Sequence, residues 1–154
     1  MNDIQISAHT ARGWNREPSQ ADLSTASEAD PRYETMLGDV EIRTDKVDLS
    51  ARWGWVPLID FTVGLVSLLR QLPQTKQATF DFTESGAELR FYLLDGIVEM
   101  RTNYADGIIR IDYDRLLAAA CSFAASTFDT LTTEAPSLRK NPTFRRLVEE
   151  TQCV

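Results

Sequence analysis

The sequence predicts an α+β fold. An antiparallel sheet, built from a four-strand meander over residues 77–112 together with N-terminal strands, packs against two long helices at 57–72 and 113–133 and a short C-terminal helix. Two observations carry this. Between Gln77 and Asp112, short runs of alternating apolar and polar residues are separated by Ser85-Gly86, Asp95-Gly96 and Asp106-Gly107, and such dipeptides signal two-residue hairpin turns. On both sides of that stretch, apolar residues recur at helical spacing and prolines mark the helix ends.

In chain order, Ile4, Ile6 and Ala8 alternate with Asp3, Gln5 and Ser7, the pattern of a half-buried strand. Residues 15–32 are rich in Ser, Ala, Asp, Glu and Pro with scarcely any large apolar residue. That makes a long loop, either functional or a disordered excursion. A second strand is expected around Val40, Ile42 and Thr44. Pro57 suits the first position of the next helix and Pro73 ends it. Leu58, Phe61, Leu65, Leu68 and Leu72 form its buried stripe, widened by Ile59, Val66 and Leu69; Asp60, Gly64, Ser67 and Gln71 make a small or polar opposite face.

If each dipeptide is the turn, the meander's register follows. Asp81 lies opposite Arg90, Arg90 opposite Arg101, and Arg101 opposite Asp112. The same alignment pairs Phe82 with Leu89, Phe80 with Phe91, Phe91 with Met100, Leu93 with Val98 and Thr102 with Ile111. Apolar then meets apolar on one face, except at Thr102, and polar meets polar on the other. A slip of one residue would destroy that agreement. Asp112 or Asp114 caps the second long helix, with Asp112 the less secure member of the row because capping draws it out of the strand. Leu117, Ala120, Ala124, Phe128 and Leu131 mark that helix's buried stripe, flanked by Leu116 and Phe123, and Pro136 stops it. Asn141-Pro142 opens the terminal helix with Phe144, Leu147 and Val148. With no internal repeat, residues 1–154 are expected to form one domain.

The totals narrow the function. At 154 residues, 43% hydrophobic and 25% charged, the chain can bury a core without staples. A formal charge of −7 argues against nucleic acid or an anionic membrane as partner. It suits a basic protein partner, although a merely soluble surface is the commoner cause of such a charge. The basic segment with Arg139, Lys140, Arg145 and Arg146 is too short for a nucleic-acid arm. Two cysteines make no disulfide framework; Cys121 reads as a small buried hydrophobe, and Cys153 stands near the end. MNDIQISAH lacks the layout of a signal peptide, and Val56 to Leu72 is too short for a bilayer and holds Asp60 and Arg70. These features imply a cytoplasmic protein.

His9 is the only histidine and has no second His or nearby Cys with which to hold a metal. No phosphate-binding glycine loop, nucleophile elbow or HExxH occurs. Carboxylates are plentiful, but none stands in a motif that requires it. No catalytic, cofactor-binding or metal residue is therefore assigned, and the protein is expected not to be an enzyme. What remains is a partner-binding surface. Arg90 and Arg101, opposed on neighbouring strands, need flanking acids. Their row is either structural or, with Tyr92 and Glu99 on the same face, a docking surface, since Arg and Tyr are enriched at interfaces. Asp95 and Asp106, at hairpin positions, are acids that would steer a basic partner. Trp53 and Trp55 flank Gly54, and one of them is expected in the core and the other exposed as an anchor.

One resemblance sharpens this. Trp55, Val56, Pro57, Leu58, Ile59, Asp60 and Phe61, followed by spaced leucines, resemble a segment of small bacterial immunity proteins of polymorphic-toxin and contact-dependent inhibition systems. So do Phe80, Phe82, Thr83, Glu84 and Ser85, the strand meander, and the closing helix before Pro136, Leu138, Asn141 and Pro142. The likeness spans residues 53–147. It implies a protein without enzymatic activity that neutralises a cognate toxin by direct binding, and it transfers no functional residue. A toxin with a basic cleft, such as a nuclease, would suit the acidic charge. The alternative is a small-ligand-binding or regulatory domain whose helices and sheet enclose an apolar pocket. A hydrolase using paired carboxylates ranks last.

Overall fold

A computed structural model describes residues 3–10, 36–82 and 85–152. The loop expected at 15–32 lies outside them, as do Thr83, Glu84 and Cys153. The elements run β1 (Gln5–Thr10), β2 (Leu37–Arg43), β3 (Ala51–Pro57), α1 (Leu58–Thr75), β4 (Gln77–Asp81), β5 (Glu88–Leu94), β6 (Ile97–Thr102), β7 (Ile109–Asp112) and α2 (Tyr113–Glu134). A 3-10 helix (Pro136–Lys140) and α3 (Pro142–Thr151) follow. The architecture is α+β, with the meander, two long helices and a short terminal helix.

The strands form two antiparallel sheets, β1-β2-β3 and β4-β5-β6-β7. Strands β1 and β2 stand where the sequence pattern predicts them; β3 has no such pattern, because Arg52, Gly54 and Pro57 obscure its alternation. Helices α1 and α2 pack on each other and on both sheets. One contiguous core results, with Phe61, Leu65, Leu69, Phe91, Met100, Leu116 and Leu131 among its buried members.

Pro73 does not end α1; it lies inside the last turn, and the helix runs on to Thr75. A proline has no N–H, so the Leu69 carbonyl, four residues earlier, loses its helical donor. The hydroxyl of Tyr113 donates to that carbonyl at 2.7 Å. Burial raises the Tyr113 pKa, followed in importance by Asp114, which keeps the proton on the donor. Lys76 then closes the helix in the left-handed region, its N–H bonding to the Leu72 carbonyl. Tyr113→Phe is expected to cost about 1–1.5 kcal/mol in urea unfolding by orphaning the Leu69 carbonyl. In a Pro73→Ala background, which restores the helical donor, the same change should cost clearly less.

The sequence also places the helix termini. Asp112 is the cap of α2, its carboxylate accepting from the Asp114 N–H at 3.0 Å. Asn141 caps α3 by accepting from the Phe144 N–H at 3.0 Å. At the far end of α3, the Arg70 guanidinium donates to the carbonyls of Glu150 and Gln152, a cation on orphan C-terminal carbonyls.

In the meander, one of the three expected turns stands where the dipeptide predicted it. Asp95 (φ 52) and Gly96 (φ 77) make a two-residue turn with both central residues at positive φ, pairing Arg90 with Arg101, Phe91 with Met100 and Leu93 with Val98. The other two registers are corrected. Ser85-Gly86 is not the turn: the Phe82 N–H bonds to the Ala87 carbonyl, and the hydroxyl of Ser85 bridges the Phe82 carbonyl and the Ala87 N–H. This longer connection shifts the pairing by two residues. Phe80 therefore meets Leu89, Ala78 meets Phe91, and Asp81 faces Glu88 rather than Arg90.

Nor is Asp106-Gly107 a turn. Thr102 winds the chain by accepting from the N–H groups of Tyr104 and Ala105 and donating to the Ala105 carbonyl. Pairing shifts by four, so Val98 meets Ile111, Thr102 meets Leu89, and Asp112 faces Ile97 instead of Arg101. Both shifts are even and leave every side chain on its expected face. Phe82, Leu89, Phe91, Val98 and Met100 are buried, and Phe80 and Leu93 half-buried, on the face that packs against the helices.

Candidate functional site

The opposite face of the four-stranded sheet is covered by no described element. Alternation directs Gln77, Thr79 and Asp81 of β4 to it, then Glu88, Arg90, Tyr92 and Leu94 of β5, Ile97, Glu99 and Arg101 of β6, and Arg110 of β7. The predicted pair Arg90 and Arg101 stands here, directly opposed. The acids that neutralise it are not Asp81 and Asp112. Glu88, two residues along the same strand, accepts from the Arg90 Nε at 2.8 Å. Glu99, two residues before Arg101, accepts from Arg101 and also from the Arg110 Nε at 3.2 Å. Arg101, with Arg110 behind it, holds the Glu99 carboxyl below its ordinary pKa.

Tyr92 sits beside Glu99 across the β5–β6 ladder, and the Arg101 guanidinium lies over its ring, 5.5 Å from the centroid. The Nε of Arg101 is shielded from solvent and has no hydrogen-bond partner. The cation is thus held by the ring and Glu99, with its shielded Nε donor unused. Of the seven residues singled out from the sequence, Arg90, Tyr92, Glu99 and Arg101 come together on this face. Asp95 joins its margin at the tip of the β5–β6 turn. Asp106 is exposed but belongs to the connection after β6, at the sheet's other end. Trp53 is on β3, in the other sheet.

Trp53 and Trp55 lie side by side on β3 instead of one in the core and one apart from it. Gly54 between them stands at φ 78, its N–H bonded to the Asp39 carboxylate at 2.7 Å. Their rings stack at 4.9 Å, and Trp53 meets Phe82 and Tyr104 edge-on at 5.3 and 4.9 Å. Trp53 is a half-buried link between the sheets, and Trp55 is the outer ring of the stack.

Two further residues complete the open face. Leu94 is 75% exposed, and Ile97, its cross-strand partner, 39%. With Tyr92 they are three of the four exposed large hydrophobics among the described residues; Trp55 is the other. Their signal was present in the sequence: once Leu93 and Val98 pair inward, Leu94 and Ile97 must point outward.

Elsewhere, a polar cluster covers the outer face of β1-β2-β3. Glu41 accepts from Arg52 at 2.9 Å, contacts the His9 Nε2 at 2.9 Å and accepts from the hydroxyl of Ser7 at 3.3 Å. Arg52 above all, then His9, brings its pKa down to about 2. Arg52 also donates to Asp48. This is an ion-pair network that ties three strands together, and it leaves no open chemistry.

A cleft of about 990 Å³ opens between α2 and α3, over Phe128, Phe144 and Val148, with Arg139 and Arg145 set against Asp129 and Glu149 at its rim. Cys121, on its wall, is half-buried and disulfide-bonded, which corrects the reading of it as a simple buried hydrophobe. Among the described residues, no three His, Cys, Asp or Glu side chains gather so as to hold a metal ion, and no helix is long and apolar enough to cross a membrane. Compared with protein-family models, curated proteins and solved structures, the chain matches none.

Proposed function

We propose that the protein is a non-enzymatic binding module, an immunity protein that neutralises a cognate bacterial toxin through the open face of the four-stranded sheet. One observation carries the reading: Tyr92, Leu94 and Ile97 stand exposed together beside an arginine already fixed over an aromatic ring. Apolar and aromatic side chains next to a pre-ordered Arg are the usual energetic centre of a protein interface, because little side-chain entropy remains to be lost on docking. A rigid sheet supports them, and the net charge of −7 favours encounter with a basic partner such as the cleft of a nuclease.

The test is co-expression with the product of the neighbouring gene, scoring growth rescue and a stable complex. A double substitution of Leu94→Asp and Ile97→Asp should leave folding intact and weaken the complex by about 30-fold or more. Reversing charge at Asp95, Glu99 and Asp106, or raising salt, should slow association. A complex whose affinity is unmoved by the double substitution would place the interface elsewhere.

Action in the cytoplasm is part of this reading, and Cys121 counts against that part, because the cytosol keeps thiols reduced and the structure has this one in a disulfide. The α2–α3 cleft, of a size that small-molecule sites have, favours a second reading as a ligand-binding domain. Its rim charges are balanced and exposed, so it offers no fixed polar group to orient a ligand.

A further inference from the structure

We propose that two copies of this chain join edge to edge through β4, continuing the four-stranded sheet across a two-fold axis at Thr79. The proposal is independent of the toxin-binding reading. β4 is an outer strand, with β5 on one side only. The bonds from the Leu93 N–H to the Lys76 carbonyl and from the Phe82 N–H to the Ala87 carbonyl fix which residues face β5. Bonding residues alternate along an antiparallel ladder. Lys76, Ala78, Phe80 and Phe82 therefore bond to β5, while Gln77, Thr79 and Asp81 turn their N–H and C=O groups outward. No described residue bonds to those outward groups.

Such a row is a template for another strand unless something blunts it. Within β4 there is no proline, no lysine and no register shift, and its one charge, Asp81, stands at the end. The other edge of this four-stranded sheet is less open: β7 is four residues long and runs straight into α2.

The sequence of β4 selects its own copy as occupant. Antiparallel pairing about Thr79 sets Thr79 against Thr79, Gln77 against Asp81 and Ala78 against Phe80 of the second copy. The first pairs two hydroxyls, the second lets an amide donate to a carboxylate, and the third is apolar on the helix side, where Phe80 is only half-buried. The Lys76 end of each strand meets the Asp81 end of the other, so charges of opposite sign adjoin. A two-fold axis at Asp81 would instead oppose two carboxylates. The helix layer agrees. Beneath the edge runs a groove of about 660 Å³, lined from α1 by Gly64, Ser67 and Gln71, and these small or polar residues leave room for the second α1 to approach.

Sedimentation equilibrium of the full chain tests this. The expected result is a species of twice 17.4 kDa across the micromolar range. Thr79→Pro removes an outward N–H and none of the bonds to β5, so circular dichroism and the urea midpoint should stay close to the parent. Thr79→Lys opposes two ammonium groups at the axis and changes only an exposed side chain. Each should raise the dimer dissociation constant about tenfold or more. A parent chain that stays monomeric throughout, or a dimer that survives both substitutions, would overturn the proposal. If the proline variant fails to fold, the lysine variant alone decides.

Discussion

Replacing Phe91 by alanine is expected to destabilise the protein by about 3–5 kcal/mol, the cost of emptying a large aromatic site in a packed core. Phe91 is 0% exposed, lies at the centre of β5, and is flanked across the ladder by Ala78 and Met100. Alanine on one side means that no large neighbour stands ready to fill the space, so collapse is limited and the cavity term persists. Urea unfolding should show a lower midpoint with an unchanged slope. The neighbouring Arg90→Ala removes a side chain whose partner, Glu88, is on the same strand and solvated, and its midpoint should stay close to the parent's. Equal losses at the two positions would contradict the assignment of inner and outer faces.

The second large effect is expected at Gly38. An added Cβ there would overlap the carbonyl oxygen of His9 and press on the Cα of Thr10 at 3.0 Å, both parts of the β1 backbone. Backbone cannot swing aside as a side chain can, so alanine must push β1 from β2, where Thr10 pairs with Gly38 and His9 with Asp39. A Gly→Ala change elsewhere gains up to about 1 kcal/mol by restricting the unfolded chain. Here the overlap outweighs that gain, and a net loss of about 3 kcal/mol is expected. The backbone amides of β1 that face β2 should exchange faster with solvent in the variant as the β1–β2 ladder loosens. A Gly38→Ala protein as stable as the parent would show that β1 does not lie where the structure puts it.

The inner face of the meander was readable from the chain because it depends only on parity. Phe82, Leu89, Phe91, Val98 and Met100 alternate with polar residues, and any even register keeps them together. Helix caps at Asp112 and Asn141 were readable for a similar reason: a cap is a local bond between residues two or three apart. Half of the candidate face followed as well, since Arg90, Tyr92, Glu99 and Arg101 share the outward parity of β5 and β6, joined by a true two-residue turn. Leu94 and Ile97 carried the same signal.

What the chain did not disclose was set partly by local side-chain bonds that displaced the expected turns and partly by groups far apart in sequence. The side chains of Ser85 and Thr102 replaced two expected turns with longer connections, and the acids facing Arg90 and Arg101 changed with the register. Pro73 stays inside α1 because Tyr113, 40 residues on, supplies the donor its carbonyl partner lost. The backbone between Trp53 and Trp55 follows a left-handed Gly54 whose N–H is held by Asp39, 15 residues earlier. Face and parity, which each strand fixes by itself, were settled by sequence alone. Two of the three meander registers, the strand edges and the partners of charged groups were settled only in the folded molecule, where donors and acceptors must be satisfied together.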